Sequence, residues 1–429
     1  MKSSFAREPI GQLLKAIVDN RGKTVPTADD GIPLIATNCI KESRLYPTFE
    51  NIRYVSEETH RTWFRAHLHP GDILFVNKGT PGRVCMVPDP VNFCAAQDMI
   101  GLRADRSKVY PRYLFAFLRS DWVKETIRNY HVGLAIPHFK KQDLDTITVP
   151  KRSDDEQKAI GDLYFLLSEK IEINSQINEE LEGMAKLLYD YWFVQFDFPI
   201  TAAQAAAMGK PHLKGKPYRA SGGKMTYNEA LKREIPDGWE EGEIANFCAL
   251  NSKSWANNEY PESINYVDLA NTKNGRIDQT VTYRKEDAPS RAQRVLRAGD
   301  TIVGTVRPEN CSFAWVPDSD QALTGSTGFA VLTPNKPSYR EFNYIGLTSK
   351  LNIKRLSVIA SGAAYPAVNP DIVAALQIPS PPDPLLGEFH AATAASFDLI
   401  EKNESQNRNL AELRDWLLPM LMNGQVTVG

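Results

Sequence analysis

A chain of 429 residues, 42% hydrophobic and 24% charged, has the make-up of a soluble globular protein and is too long for one core, so two or three domains are expected. Its five cysteines, Cys39, Cys85, Cys94, Cys248 and Cys311, are odd in number and include no CxxC pair, which excludes a disulfide scaffold and a zinc ribbon. The formal net charge of −2 conceals a segregation: residues 1–152 hold 23 basic and 16 acidic residues, 153–195 hold 3 and 10, 196–379 hold 21 and 19, and 380–429 hold 3 and 7.

The chain opens with Met1-Lys-Ser-Ser, which lacks a secretion signal, and its apolar runs, such as Leu163 to Leu167, are too short to span a bilayer; cytoplasm is therefore expected. Strands alternate with turns through the first stretch. Ile73 to Val76 follows the turn Pro70-Gly71-Asp72 and reads as a strand, and Met86-Val-Pro88 reads as another, closed by proline. Tyr113 to Leu118 has helical core spacing. His67-x-His69 with Cys85 and Cys94 contains metal-ligand types, but the second half of the chain does not repeat them, and no metal is expected.

A long helix is predicted from about Asp155 to Trp192, with Ser153 or Asp154 as its N-cap. Its heptad places Ile160, Leu167, Asn174, Leu181 and Leu188 at a, and Leu163, Lys170, Ile177, Met184 and Tyr191 at d. Residues 196–236, with an Ala-rich run at 202–207 and a Gly/Lys/Ser-rich stretch after it, read as a linker with one short helix.

The pattern then repeats. Gly299-Asp300 precedes the strand Thr301 to Val303, Trp315-Val-Pro317 matches Met86-Val-Pro88, and Phe342 to Leu347 matches the earlier helix. Gly362-Ala-Ala-Tyr-Pro366 answers Gly133-Leu-Ala-Ile-Pro137, and Ile400-Glu401-x-Asn403 answers Ile171-Glu172-x-Asn174, both at an offset of 229 residues. A constant offset over such a span marks a duplicated unit. The second long helix is predicted from about Leu385 to Leu418, ending before Pro419, with Phe389, Ser396, Asn403, Leu410 and Leu417 at a and Ala392, Leu399, Gln406, Leu413 and Met420 at d. Antiparallel pairing would bring Asn174 and Asn403 together. A buried polar pair there fixes coiled-coil register, because a slipped pairing leaves an amide unsatisfied.

The expected architecture is therefore mixed α/β: a first domain at 1–152, helix at 153–195, linker at 196–236, a second domain at 237–379 and a second helix at 380–429, in a pseudo-twofold internal repeat. The chemistry of a self-contained enzyme is missing from the sequence. There is no Asn/Asp-Pro-Pro-Tyr/Phe run for amino methylation, no Walker A loop (Gly222-Gly223-Lys224 is followed by Met225) and no Gly-x-Ser-x-Gly elbow.

Laid out in this order, the chain resembles the DNA-specificity subunit of type I restriction-modification systems. The resemblance is carried by Gly133-x3-Pro137-x6-Leu144, Val149-Pro150 and Glu156-Gln157-x2-Ile160, then by Leu188-Tyr-Asp-Tyr-Trp-Phe-Val-Gln-Phe196, Gly215-Lys-Pro-Tyr218 and Ile235-Pro-Asp-Gly-Trp239. The second copy departs from it, with Leu385-Leu386-x2-Phe389 where the first has Glu-Gln-x2-Ile. The resemblance implies a non-catalytic subunit that reads a bipartite, asymmetric double-stranded DNA site with two target-recognition domains joined by two long antiparallel coiled-coil helices. It implies two methyltransferase subunits and motor-nuclease subunits as partners, with S-adenosylmethionine, ATP and Mg2+ held by those partners. The alternatives are a self-sufficient modification or restriction enzyme and a duplicated adaptor that binds no DNA.

Base reading needs polar groups on close-approaching loops, with cations for phosphate. In the first domain the candidates are Asn77, Lys78, Thr80 and Arg83, then His138, Lys140 and Lys141, then Arg21 and Lys23. By repeat position the second domain offers Thr305, Arg307 and Asn310, then Tyr365 and Asn369, with Lys253 and Trp255. On the acidic helices Trp192, Phe193, Phe196, Trp416 and Leu421 are candidates for docking a protein partner. A helix of about 36 residues spans roughly 55 Å at 1.5 Å per residue, long enough to hold two reading heads about one DNA turn apart. Removing one heptad from each helix is expected to shorten the spacer between half-sites and leave their bases unchanged, as read by mapping methylated sites in a host. An altered half-site with an unchanged spacer would contradict the ruler.

Overall fold

The computed structural model describes residues 5–20, 24–130, 138–256, 258–319, 322–362 and 366–428. Two compact units divide the chain: residues 1–177 with 403–429, and residues 178–402. Each combines a mixed α/β body with segments of both long helices, α1 (Asp154–Tyr189) and α2 (Asp383–Asn423).

In the first unit the main sheet consists of β1 (Leu14–Val18), β2 (Ile73–Val76), β3 (Val84–Met86) and β4 (Met99–Ala104), in the order β1-β4-β2-β3, all antiparallel. The run Ile-Leu-Phe-Val of β2 is buried on both faces, which is why it lacks the alternation of a surface strand. One face meets the helix Pro111–Leu118, started by proline at its first position. The other covers a smaller core with Ile35, Cys39 and Cys85. The second unit repeats the plan with β5 (Cys248–Leu250), β6 (Thr301–Gly304), β7 (Phe313–Trp315) and β8 (Phe329–Pro334), in the order β5-β8-β6-β7. The predicted strands Ile73 to Val76 and Thr301 to Val303 fall within β2 and β6, those starting at Met86 and Trp315 overlap only the last residues of β3 and β7, and the predicted helices coincide with Pro111–Leu118 and Arg340–Thr348. Residues 196–236, expected as a linker, form a short helix (Ala202–Ala207) and a hairpin of Met225–Asn228 with Arg233–Pro236. Phe198 stacks between Tyr218 and Trp239, and aromatic burial of this kind holds down a segment whose composition reads as flexible.

The expected a positions Ile160, Asn174, Phe389 and Asn403 are buried, but the d row is displaced by a single residue in both helices. In the first unit α1 turns Tyr164, Ser168, Ile171 and Ser175 inward and α2 turns Arg414 and Leu418 inward, whereas Ile177 and Leu413 point outward. In the second unit the inward residues are Asn178, Ala185 and Tyr189 from α1 with Thr393 and Phe397 from α2, and Met184 and Leu399 are exposed. The seam is made of small and polar side chains, so an apolar count picks the neighbouring row instead. Gly161 shows how close the packing is: a Cβ there would lie 2.6 Å from the backbone nitrogen of Tyr113.

Asn174 is buried as expected, but its Nδ2 donates to Gln406 Oε1 (2.8 Å) and Asn407 Oδ1 (2.9 Å) rather than to Asn403. Antiparallel pairing shifted by three to four residues, about one helical turn, places Gln406 and Asn407 opposite it. The first helix starts with a reciprocal cap, Ser153 to Glu156. The second runs past Leu418 through Pro419 to Asn423, further than proline predicts. Its last carbonyls are satisfied by buried Arg152, which donates to Leu421 O and Met422 O at 3.2 and 2.9 Å. At its start the Asp383 side chain accepts from Lys336 and Tyr339, which ties the helix to the second body.

Glu172 joins α1 to the first body: it accepts from Arg44 Nη2 at 2.7 Å and from the Leu45 amide at 3.0 Å. Burial opposes its charge, but these donors hold its carboxyl below the usual range.

A second buried acid has lost its counterpart. Asp72 accepts two bonds from Arg103, at 2.7 and 2.9 Å. In the repeat Arg103 is replaced by Thr333, and Asp300, 1% exposed, is left with an Oδ1 that has no partner. Burial pushes the Asp300 carboxyl up to about 6, partly offset by the Arg297 amide and the Thr333 hydroxyl. The folded state therefore holds this proton more tightly than the unfolded chain, and its stabilising effect, full below pH about 4, is lost as pH rises towards 6. Asp300→Asn is expected to stabilise the protein by roughly 1–3 kcal/mol at pH 8 and by nothing at pH 4, measured by thermal unfolding at both. An equal effect at the two values would contradict this origin.

Candidate nucleic-acid interface

The ends of β1 and β2 and the start of β4 lie at one edge of the first sheet, where an open cleft of about 720 Å³ is lined by Asp19, Arg65, Asn77, Lys78, Gln97, Asp98, His138 and Lys141. The backbone sets this meeting point. Asn77 N donates to Asp98 O (3.1 Å), and Phe139 N donates to Asn77 O (2.8 Å), which brings His138 beside Lys78. Gly79 and Gly82 have φ of +84° and +96°, a left-handed backbone that lets the chain turn tightly between β2 and β3.

The cleft thus gathers Asn77, Lys78, His138 and Lys141 from two of the predicted clusters. Asn77 is buried, its Nδ2 is 3.5 Å from His138 Nε2, and its Oδ1 has no hydrogen-bond partner among the described residues. Thr80 and Lys140 are exposed and Arg83 is half-buried, all outside the cleft lining. Arg21 and Lys23 lie outside the described residues, as do the loop from Gly133 to Pro137 and Tyr365. Asp19, Arg65, Gln97 and Asp98 were not among the candidates. The signal available for them was position at strand ends, where Gln97-Asp98 immediately precedes β4 and Asp19 follows β1.

The second unit repeats the same backbone. Thr305 N donates to Gly328 O (2.9 Å), Val368 N donates to Thr305 O (2.9 Å), and Val306 bridges Ala367. The side chains differ. Thr305 is buried and its hydroxyl donates to Gly328 O, so the predicted donor is consumed internally. Val306, Thr327, Gly328 and Ala367 occupy the places of Lys78, Gln97, Asp98 and His138. Arg307, at a left-handed φ of +48°, and Asn310 are exposed on the following turn. Asn369 is exposed and accepts the Asp371 amide as a helix cap. Lys253 lies over the Trp255 ring, whose Nε1 donates to Thr324 Oγ1 at 2.9 Å.

Four of the five partner-docking candidates are core residues. Trp192, Phe193 and Phe196 belong to the second unit's core and Leu421 to the first's. A π-helical turn at Asp190–Val194 brings two successive aromatics inward, with Phe193 5.1 Å from Phe389 and Trp192 5.8 Å from it. Only Trp416 of the five is exposed, at 63%. The exposed apolar faces are elsewhere: Met184 (68%) and Leu187 (68%) in the second unit, and their repeat equivalents Leu413 (44%) and Trp416 in the first. Among the described residues no helix is long and apolar enough to cross a membrane.

Residues 21–183 match the family model described as type I restriction modification DNA specificity domain. The type I restriction enzyme MjaIX specificity subunit of Methanocaldococcus jannaschii is 23% identical over 362 residues, covering 83% of this chain and 78% of that protein. The HindI specificity subunit of Haemophilus influenzae is 23% identical over 402 residues, covering 83% and 86%. Among solved structures, the type I restriction-modification S subunit from M. genitalium aligns over 98% of this chain and 96% of its own, with a TM-score of 0.55 at 14% identity.

Proposed function

We propose that the chain, on its similarity to the DNA-specificity subunits of type I restriction-modification systems, is such a subunit and a non-catalytic reader of a bipartite, asymmetric duplex site. One observation carries the reading: the same backbone clamp occurs twice, around Asn77 and around Thr305, and presents different side chains each time. A duplicated ligand site would keep its side chains. A reader of two unlike half-sites keeps the frame and changes the contacts.

In the first unit Lys78 and Lys141 are placed to neutralise phosphates, with Arg65 beside them. In the second, Arg307 fills that part, with Asn310 as a neutral hydrogen-bonding group on the same turn. The acidic helices are unsuited to phosphate and serve protein partners. Met184 and Leu187 on one unit, Leu413 and Trp416 on the other, form equivalent apolar faces, which fit two copies of a methyltransferase subunit. Motor-nuclease subunits add to that core, and S-adenosylmethionine, ATP and Mg2+ act on the partners.

Lys78→Gln with Lys141→Gln is expected to weaken duplex binding by the assembled complex for all sequences alike and to reduce the slope of log affinity against log salt by about two. Salt-independent binding by the unaltered complex would remove the DNA reading. Met184→Lys with Leu187→Lys is expected to leave one methyltransferase copy bound instead of two in native mass spectrometry, as is Leu413→Lys with Trp416→Lys. Retention of both copies in both variants would contradict the docking faces.

A further inference from the structure

The first unit's cleft contains a residue whose charge is wrong for a phosphate grip. Asp98 lines the cleft and its side chain is 42% exposed. Its nearest cation, Lys78 Nζ, is 4.0 Å away with its own side chain 48% exposed, a separation and exposure at which an ion pair contributes little. The position is nevertheless fixed, because the Asp98 carbonyl accepts the Asn77 amide and its neighbour Met99 begins β4.

A carboxylate facing a duplex repels phosphate whatever the sequence. It is offset only where a base presents a donor, and in the major groove the donors are N4 of cytosine and N6 of adenine; guanine offers only acceptors there. One further acceptor shares the cleft: Gln97 is exposed beside Asp98. The second unit has Thr327 and Gly328 at the positions of Gln97 and Asp98, so this acceptor group belongs to the first unit alone.

We propose that Asp98, with Gln97, is a specificity determinant that selects an amino-bearing base, cytosine or adenine, in the half-site read by the first unit. The proposal rests on the DNA-reading function above. The test is selection of bound duplexes from a randomised pool by the chain assembled with methyltransferase subunits, for the unaltered protein, Asp98→Asn and Lys78→Gln. Asp98→Asn is expected to lose discrimination at one cytosine or adenine position of one half-site, on the order of tenfold, with the other half-site unchanged. Lys78→Gln is expected to weaken binding without changing the preferred bases. Tighter binding by Asp98→Asn with the same preferred bases would overturn the proposal and leave DNA reading intact, since the carboxylate would then only offset charge. The same change of bases in Lys78→Gln would also overturn it, assigning the effect to the lysine. An unaltered complex that enriches no sequence overturns both the proposal and the function it rests on.

Discussion

The backbone of one residue in each unit is held from both sides, and the proposed reading surface depends on that clamp. In the first unit Asn77 donates to Asp98 and accepts from Phe139; in the second Thr305 donates to Gly328 and accepts from Val368. Main-chain hydrogen bonds are indifferent to side-chain identity, so the loops after β2 and before β4 are fixed in place while their residues are free to change. This separates affinity for a frame from choice of sequence. The first unit uses the freedom to gather lysines, a histidine and carboxylates, and the second to place short neutral side chains at the clamp and an arginine on the next turn.

The same separation runs through the electrostatics of the buried acids. Asp72 and Asp300 occupy the same turn, but only Asp72 has an arginine partner, and only Asp300 is pushed up to about 6. Duplication preserved the turn and not the compensation. Glu172, by contrast, keeps its charge because Arg44 and a backbone amide meet it where α1 packs on the first body. A buried carboxylate is tolerated where its donors are fixed by the fold, and is costly where one has been replaced.

Much of the fold was legible in the sequence because duplication gives each weak signal twice. The Gly-Asp turns before β2 and β6, the helices at Tyr113 and Phe342, and the two long helices all follow from local pattern. The d row of the helix seam was missed by one residue because Ser168, Ser175, Asn178 and Arg414 line the seam, so counting apolar residues selects Ile177, Met184 and Leu413, which face outward, whereas Ile160, Asn174, Phe389 and Asn403 of the a row are buried as read. The partner candidates failed for a related reason. An α-helical reading of Asp190 to Val194 does not turn Trp192 and Phe193 inward together, whereas a π-helical turn does. In the recognition cleft, residues on one turn were readable from composition, but Asp19, Arg65, Gln97 and Asp98 reach it from other strands and loops, and only the register of β1, β2 and β4 brings them together.

The central claim is that each unit reads its own half-site through a shared frame. The most direct measurement is duplex selection by a hybrid in which residues 1–152 are exchanged for the matching segment of a relative with a different target, assembled with the same partner subunits. The account predicts that one block of preferred bases changes to the donor's and the other is retained. Simultaneous change of both blocks, or retention of both, would contradict it.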